Sequence, residues 1–209
     1  LKIEITSFAN GSRIADNNCF CIPLSDGRIT FGKNINPNIK WSDFPVTTKS
    51  FALICVDPDV PSVGDDVNQE GKIVPFDLPR VEFFHWVIAN IPFNVNEIIE
   101  GTDSNGITER GKIPGISDYG ASIGINDYTN WFAGDDKMEG FYGGYDGPCP
   151  PWNDERIHHY HFKVFALDCE KIEISGNFTG RDLLKAIENH IVDQAEYIGT
   201  YTLNKNLLK

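Results

Sequence analysis

Six side chains and one loop have the types and spacing for chemistry: Asp57, Asp59, Glu82, His85, His158 and Tyr160, with the segment Gly143-Gly144-Tyr145-Asp146-Gly147-Pro148-Cys149-Pro150-Pro151. In Asp57-Pro58-Asp59-Val60-Pro61 the prolines bias Asp57 and Val60 towards extended backbone. Residues two apart on an extended chain face one way, so both carboxylates are expected on one side. The local alternative is a solvated turn in which aspartate caps backbone N–H groups. Glu82 and His85 interrupt the apolar run Val81 to Ile91, where a polar group needs a partner; His85 is then either a hydrogen-bonded core residue or a pocket group. Strand alternation from His158 puts His158 and Tyr160 on one face and His159 and His161 on the other. Gly143 to Pro151 holds too many glycines and prolines for a helix or a central strand, which makes it a shaped loop able to form one wall of a small site.

Three kinds of chemistry suit these residues. Two histidines and two carboxylates could ligate zinc or iron, but no ligand-spacing signature accompanies them. Cys149 could act as a nucleophile with His85 or His158 as base, yet the flanking prolines have no N–H to offer an oxyanion. A pocket for a small anion fits without strain. Imidazoles, the Tyr160 hydroxyl and loop N–H groups would contact phosphate oxygens while the aspartates orient the imidazoles.

Composition narrows the choice. The chain has 209 residues, 41% of them hydrophobic, enough for one domain spanning residues 1–209 with a substantial core. A formal net charge of -12 argues against a nucleic-acid binder and against an anionic membrane surface. No apolar run is long enough for a transmembrane helix. Cys19, Cys21, Cys55, Cys149 and Cys169 lack paired metal-site spacing and read as free thiols, with a cytoplasmic address as the default. Because the chain starts at Leu1 without a methionine, a trimmed signal peptide and a periplasmic location stay open.

The elements that must position these residues are mostly strands. Lys2 to Phe8, Cys19 to Ile22, Ser50 to Val56, Val81 to Ile91, His158 to Leu167, Ile172 to Ile174 and Tyr197 to Leu203 all read as strands. Gly32 to Pro45 reads as a loop anchored by Ile35, Ile39 and Trp41, and Val95 to Ile99 as a turn of helix. The acidic stretch Ser62 to Asp77 reads as exposed, and Gly101 to Tyr142 shows no sustained periodicity. One helix is expected, capped by Thr179 with Asp182 three residues on, its apolar stripe running from Leu183 through Ile187, Ile191 and Val192 to Ala195.

In order and spelling, DPDVP at 57–61, FHWVIANIP around His85, and GYDGPCPP followed by HHYHFKVFALD resemble the phosphatidylethanolamine-binding protein family, also called Raf kinase inhibitor-like proteins, in its prokaryotic form. The resemblance covers most of the chain. It implies an all-β fold with a large central antiparallel sheet, a smaller second sheet and a C-terminal helix. It also implies a non-enzymatic protein that binds a small anionic ligand such as phosphate or a phosphoethanolamine-like head group, without a cofactor or metal. The matching site residues are Asp57, Asp59, Glu82, His85, Gly147, Pro148, Pro150, His158 and Tyr160, with Pro151 in the same loop. A second implied role is inhibition of a protein kinase or protease through surface contacts, with the pocket as a regulatory site. One departure stands out: His159 occupies a position where the family usually has arginine.

Overall fold

The apolar run starting at Ser50 shows no alternation because both of its faces are covered. In the computed structural model, which describes residues 1–208, that run is the first half of a central strand. The strands are β1 (Lys2–Ile5), β2 (Cys21–Pro23), β3 (Ile29–Phe31), β4 (Ile39–Ser42), β5 (Ser50–Pro61), β6 (Arg80–Pro92), β7 (Glu97–Ile98), β8 (Gly115–Ile116), β9 (Ser122–Ile123), β10 (His158–Leu167) and β11 (Ile191–Tyr201). A six-stranded antiparallel sheet runs in the order β11-β10-β5-β6-β9-β8, beside a three-stranded sheet β1-β4-β7 and a ribbon β2-β3. The two helices are α1 (Tyr128–Trp131) and α2 (Gly180–Ile187).

Phe51, Leu53, Cys55, Trp86, Ile88, Phe162 and Val164 fill one face of the main sheet and pack with Ile39 and Trp41 of β4. Ala52, Ile54, Phe84, Val87, Phe165 and Leu167 fill the other, under Leu183 and Ile187 of α2. Thr179 caps α2 as expected. Its side chain accepts from the Asp182 N–H, and Asp182 accepts from the Thr179 N–H at 2.9 Å. α2 begins against the sheet: a Cβ on Gly180 would lie 2.1 Å from Cδ1 of Phe84.

Several local expectations need correction. The helix stops at Ile187, and Ile191, Val192 and Ala195 belong to β11; their helical spacing is overridden by pairing with β10, where Ala195 lies opposite Val164. Val95 to Ile99 contains β7, which pairs with β4, so both the expected turn of helix and part of the expected Gly32 to Pro45 loop are sheet. Ile172 to Ile174 is no strand. The Asn90 side chain takes the place of a neighbouring strand there, accepting from the Ile172 N–H at 2.8 Å and donating to its carbonyl at 3.3 Å. Gly101 to Tyr142 holds β8, β9 and α1, pieces too short for periodicity to reveal. The five cysteines are not all free: Cys21 and Cys149 form a disulfide. Neighbours in space but 128 residues apart in sequence, they could not be paired from spacing.

Candidate functional site

β5 does not end at Asp57 but continues to Pro61 through a bulge, in which Asp57 pairs with Phe83 and Val60 with Val81. The extra residue breaks the alternation. Asp57 stays on the inner face, its Oδ1 accepting from the Asp59 N–H at 2.8 Å, while Asp59 turns outward. Inside, His158 of β10 reaches Asp57 Oδ2 through Nδ1 at 2.7 Å and Asp154 Oδ2 through Nε2 at 3.1 Å. Ionised carboxylates only accept, so both ring nitrogens donate and His158 is an imidazolium. Burial is the largest single influence and opposes that charge, but Asp57 and Asp154 together outweigh it and raise the His158 pKa to about 9. Arg80 grips Asp154 with two nitrogens, at 2.5 and 3.0 Å. Burial works against the Asp154 charge as well, yet His158 and Arg80 hold its carboxyl below the ordinary range. Asp57, His158, Asp154 and Arg80 thus form a row of alternating charge. Neither nitrogen of His158 is left for a ligand.

His85 of β6 is held differently. Its Nδ1 lies 2.7 Å from the Asp146 carbonyl, and its own carbonyl accepts from the Asp146 N–H at 3.0 Å. Asp146 sits in the glycine- and proline-rich loop, where its carboxylate takes Asn34 Nδ2 at 2.7 Å, Lys112 Nζ at 2.8 Å and Asn126 Nδ2 at 2.8 Å. A carbonyl can only accept, so Nδ1 of His85 carries a hydrogen. Burial lowers the His85 pKa despite Asp57 and Asp146 nearby, and the ring is neutral with a lone pair on Nε2. That nitrogen has no protein partner among the described residues. The Tyr160 hydroxyl, on a ring 5.1 Å from the imidazole, has none either.

These groups floor a cavity of about 330 Å³. Its walls are largely aromatic: Phe20, Phe83, Tyr128 and Phe132 line it, and Phe31 and Trp131, 64% and 56% exposed, stand at the mouth. Cys21, Cys149, Pro150 and Pro151 close one side, and Val63 and Val67 another. Asn153 ties that second side to the proline loop; its amide donates to the Asp66 and Lys72 carbonyls and its oxygen accepts from the Asn68 N–H.

Of the residues singled out from sequence, Asp57, His85, Pro150, His158 and Tyr160 converge on the cavity, and Pro151 joins them. Asp59 lies outside, accepting from the His159 N–H at 3.0 Å and from its Nδ1 at 2.8 Å. His159 therefore pairs with Asp59 outside the cavity. Glu82 is exposed, because three residues along a strand from His85 means the opposite face. Gly147 and Pro148 stand behind the wall: the Gly147 N–H donates to Asn34 Oδ1 at 2.8 Å, and the Pro148 carbonyl accepts from Phe20 and Cys21. The N–H groups of Gly143 and Asp146 are likewise taken, by the Lys112 and His85 carbonyls. The loop N–H groups expected to meet an anion are thus largely spent on protein. Cys149 has no thiol to act as nucleophile.

Sequence reasoning missed Asp154, Arg80 and Asp146, which set the protonation of the two histidines, and the whole aromatic wall. Asp154 had a readable signal, an acid four residues before His158. Phe83 had one too, two residues before His85 and so on the same face of its strand. The rest of the wall had none, since Tyr128, Trp131 and Phe132 come from an aperiodic segment, Phe20 immediately precedes β2 and Phe31 ends β3. A second, more open groove of about 810 Å³ is bordered by Arg28, Glu70, Lys72, Glu155 and Lys205, charges of both signs.

A sequence model described as phosphatidylethanolamine-binding protein matches residues 4–202. A UPF0098 protein of Methanothermobacter thermautotrophicus is 31% identical over 178 residues, 81% of this chain and 84% of its own length. One from Aquifex aeolicus is 34% identical over 178 residues, 81% of this chain and 75% of its own. Among solved structures, Escherichia coli YbcL, described as a member of the mammalian PEBP family, superposes with a TM-score of 0.66 at 25% identity, covering 96% of this chain and 97% of YbcL.

Proposed function

The chain belongs to the phosphatidylethanolamine-binding protein family, and from that premise we propose that it binds a small ligand with an oxyacid head group, phosphate or a phosphorylated head group, in the aromatic-walled cavity. The observation that carries this reading is the pair of unpartnered polar atoms on the cavity floor, the Tyr160 hydroxyl and Nε2 of His85. Both residues line the cavity, and polar atoms that line a cavity without a protein partner are open to a ligand's atoms.

The row from Asp57 to Arg80 supports the reading electrostatically. His158 and Arg80 compensate Asp57 and Asp154, so an anion on the floor does not face a bare carboxylate, even though the chain as a whole is acidic. The aromatic wall would take the organic part of the ligand. Titration of labelled protein with inorganic phosphate tests this. Resonances of His85 and Tyr160 should move first, and Tyr160→Phe should weaken binding about tenfold, the worth of one hydrogen bond to a charged group. Saturable binding that leaves both residues unmoved would place the ligand elsewhere.

A further inference from the structure

The floor offers a ligand one donor and one acceptor rather than two donors. Tyr160 keeps its proton, and Nδ1 of His85 is committed to the Asp146 carbonyl, so Nε2 presents a lone pair. An oxygen without a hydrogen cannot sit comfortably against that lone pair. An oxygen with one can.

We infer that the cavity selects oxyacids that still carry an acidic hydrogen: the ligand's P–O–H donates to Nε2 of His85 while another of its oxygens accepts from the Tyr160 hydroxyl, and an anion with no hydrogen to give, such as sulfate, is rejected. This rests on the pocket reading above and adds to it the protonation state of the head group. His85 is the residue that determines the specificity, and it does so because Asp146 fixes its tautomer from the other side of the ring.

The surrounding charges leave that lone pair in place. From β5, Asp57 faces the ring but is paired with the His158 imidazolium of β10. From the proline loop, the Asp146 carboxylate is paired with Lys112. Ahead of α1, Asp127 accepts from the Phe84 N–H at 2.9 Å and lies 3.3 Å from Arg181. Tyr128 of α1 and Tyr160 of β10 present neutral rings, 5.7 and 5.1 Å from the imidazole. No unpaired carboxylate remains to draw a proton onto the ring, and burial opposes one.

Three probes separate the possibilities. Inorganic phosphate keeps a P–O–H across the neutral range, methyl phosphate loses its last one with a pKa of about 6, and sulfate has none. Calorimetric titration slightly above neutral pH should show phosphate binding at least about tenfold tighter than sulfate, the cost of facing a buried acceptor with another acceptor. Methyl phosphate should bind well at mildly acidic pH and weaken about tenfold for each pH unit above its own pKa. Sulfate should gain affinity only at acidic pH, where the His85 ring itself takes a proton, and His85→Gln, whose amide can donate as well as accept, should bind sulfate and phosphate alike. Equal binding of sulfate and phosphate by the native protein above neutral pH, with His85 shifted by both, would overturn the inference and leave the pocket reading intact. Absence of any response at His85 and Tyr160 to all three probes at every pH would overturn both.

Discussion

His158 and His85 lie in neighbouring parts of one cavity, yet they are opposite in charge state, and the difference comes from what faces their nitrogens. His158 meets two carboxylates and is a cation; His85 meets a carbonyl and is neutral. Replacing His158 by Asn would leave Asp57 and Asp154 buried with their shared cation gone, a loss of about 3–5 kcal/mol in urea unfolding near neutral pH. The pH dependence has a definite sign. Because the folded-state pKa of His158 is raised to about 9, its contribution is complete below the ordinary histidine range and is lost as pH rises through that value. The gap between native and His158→Asn stability should therefore shrink on the alkaline side, and a gap that widened there would reject the imidazolium. Tyr160→Phe should by contrast leave stability nearly unchanged, since its hydroxyl has no protein bond to lose. Strand alternation alone was enough to place His158 and Tyr160 on one face. It could not reveal which acids surround the ring, because Asp57 comes from 101 residues away and only Asp154 is local.

At the scale of elements, the long strands were legible and their ends were not. Ser50 to Val56, Val81 to Ile91 and His158 to Leu167 are continuous apolar or alternating runs with nothing competing for them. The bulge after Asp57 was hidden because prolines signal extension equally well with or without an extra residue. The stripe from Ile187 to Ala195 satisfied a helical period by coincidence, and only pairing with β10 decides against it. The disulfide joins the ribbon strand β2 to the proline loop and so holds together one side of the cavity. Titration of thiols in unreduced, denatured protein should return three, those of Cys19, Cys55 and Cys169, and five after reduction. Replacing both Cys21 and Cys149 by Ser should cost about 2–4 kcal/mol of stability. Phosphate binding should survive the replacement, because His85 is held by Asp146 and not by the bridge. Such bridges persist in oxidising compartments and are rare in the cytosol, so the free-thiol reading no longer supports a cytoplasmic address.

For the molecule as a whole, a net charge of -12 means that the proposed anion would be captured by contact and not by attraction from a distance. Raising ionic strength from a few millimolar to about 0.15 M screens that repulsion, and phosphate affinity should hold or rise modestly instead of falling as it would in a basic cleft. No helix among the described residues is long and apolar enough to cross a membrane. The three-stranded sheet on one side and α2 on the other bury both faces of the central strands, which leaves the cavity at the ends of β5, β6 and β10 as the place where polar groups converge. The most direct test is an imidazole-nitrogen NMR titration of the native protein with inorganic phosphate. Nε2 of His85 should shift on saturation while its Nδ1 stays protonated and both nitrogens of His158 remain those of an unperturbed imidazolium. Saturation that leaves His85 silent, with changes instead around Arg28, Lys72 and Lys205 in the open groove, would contradict the assignment of the ligand to this cavity.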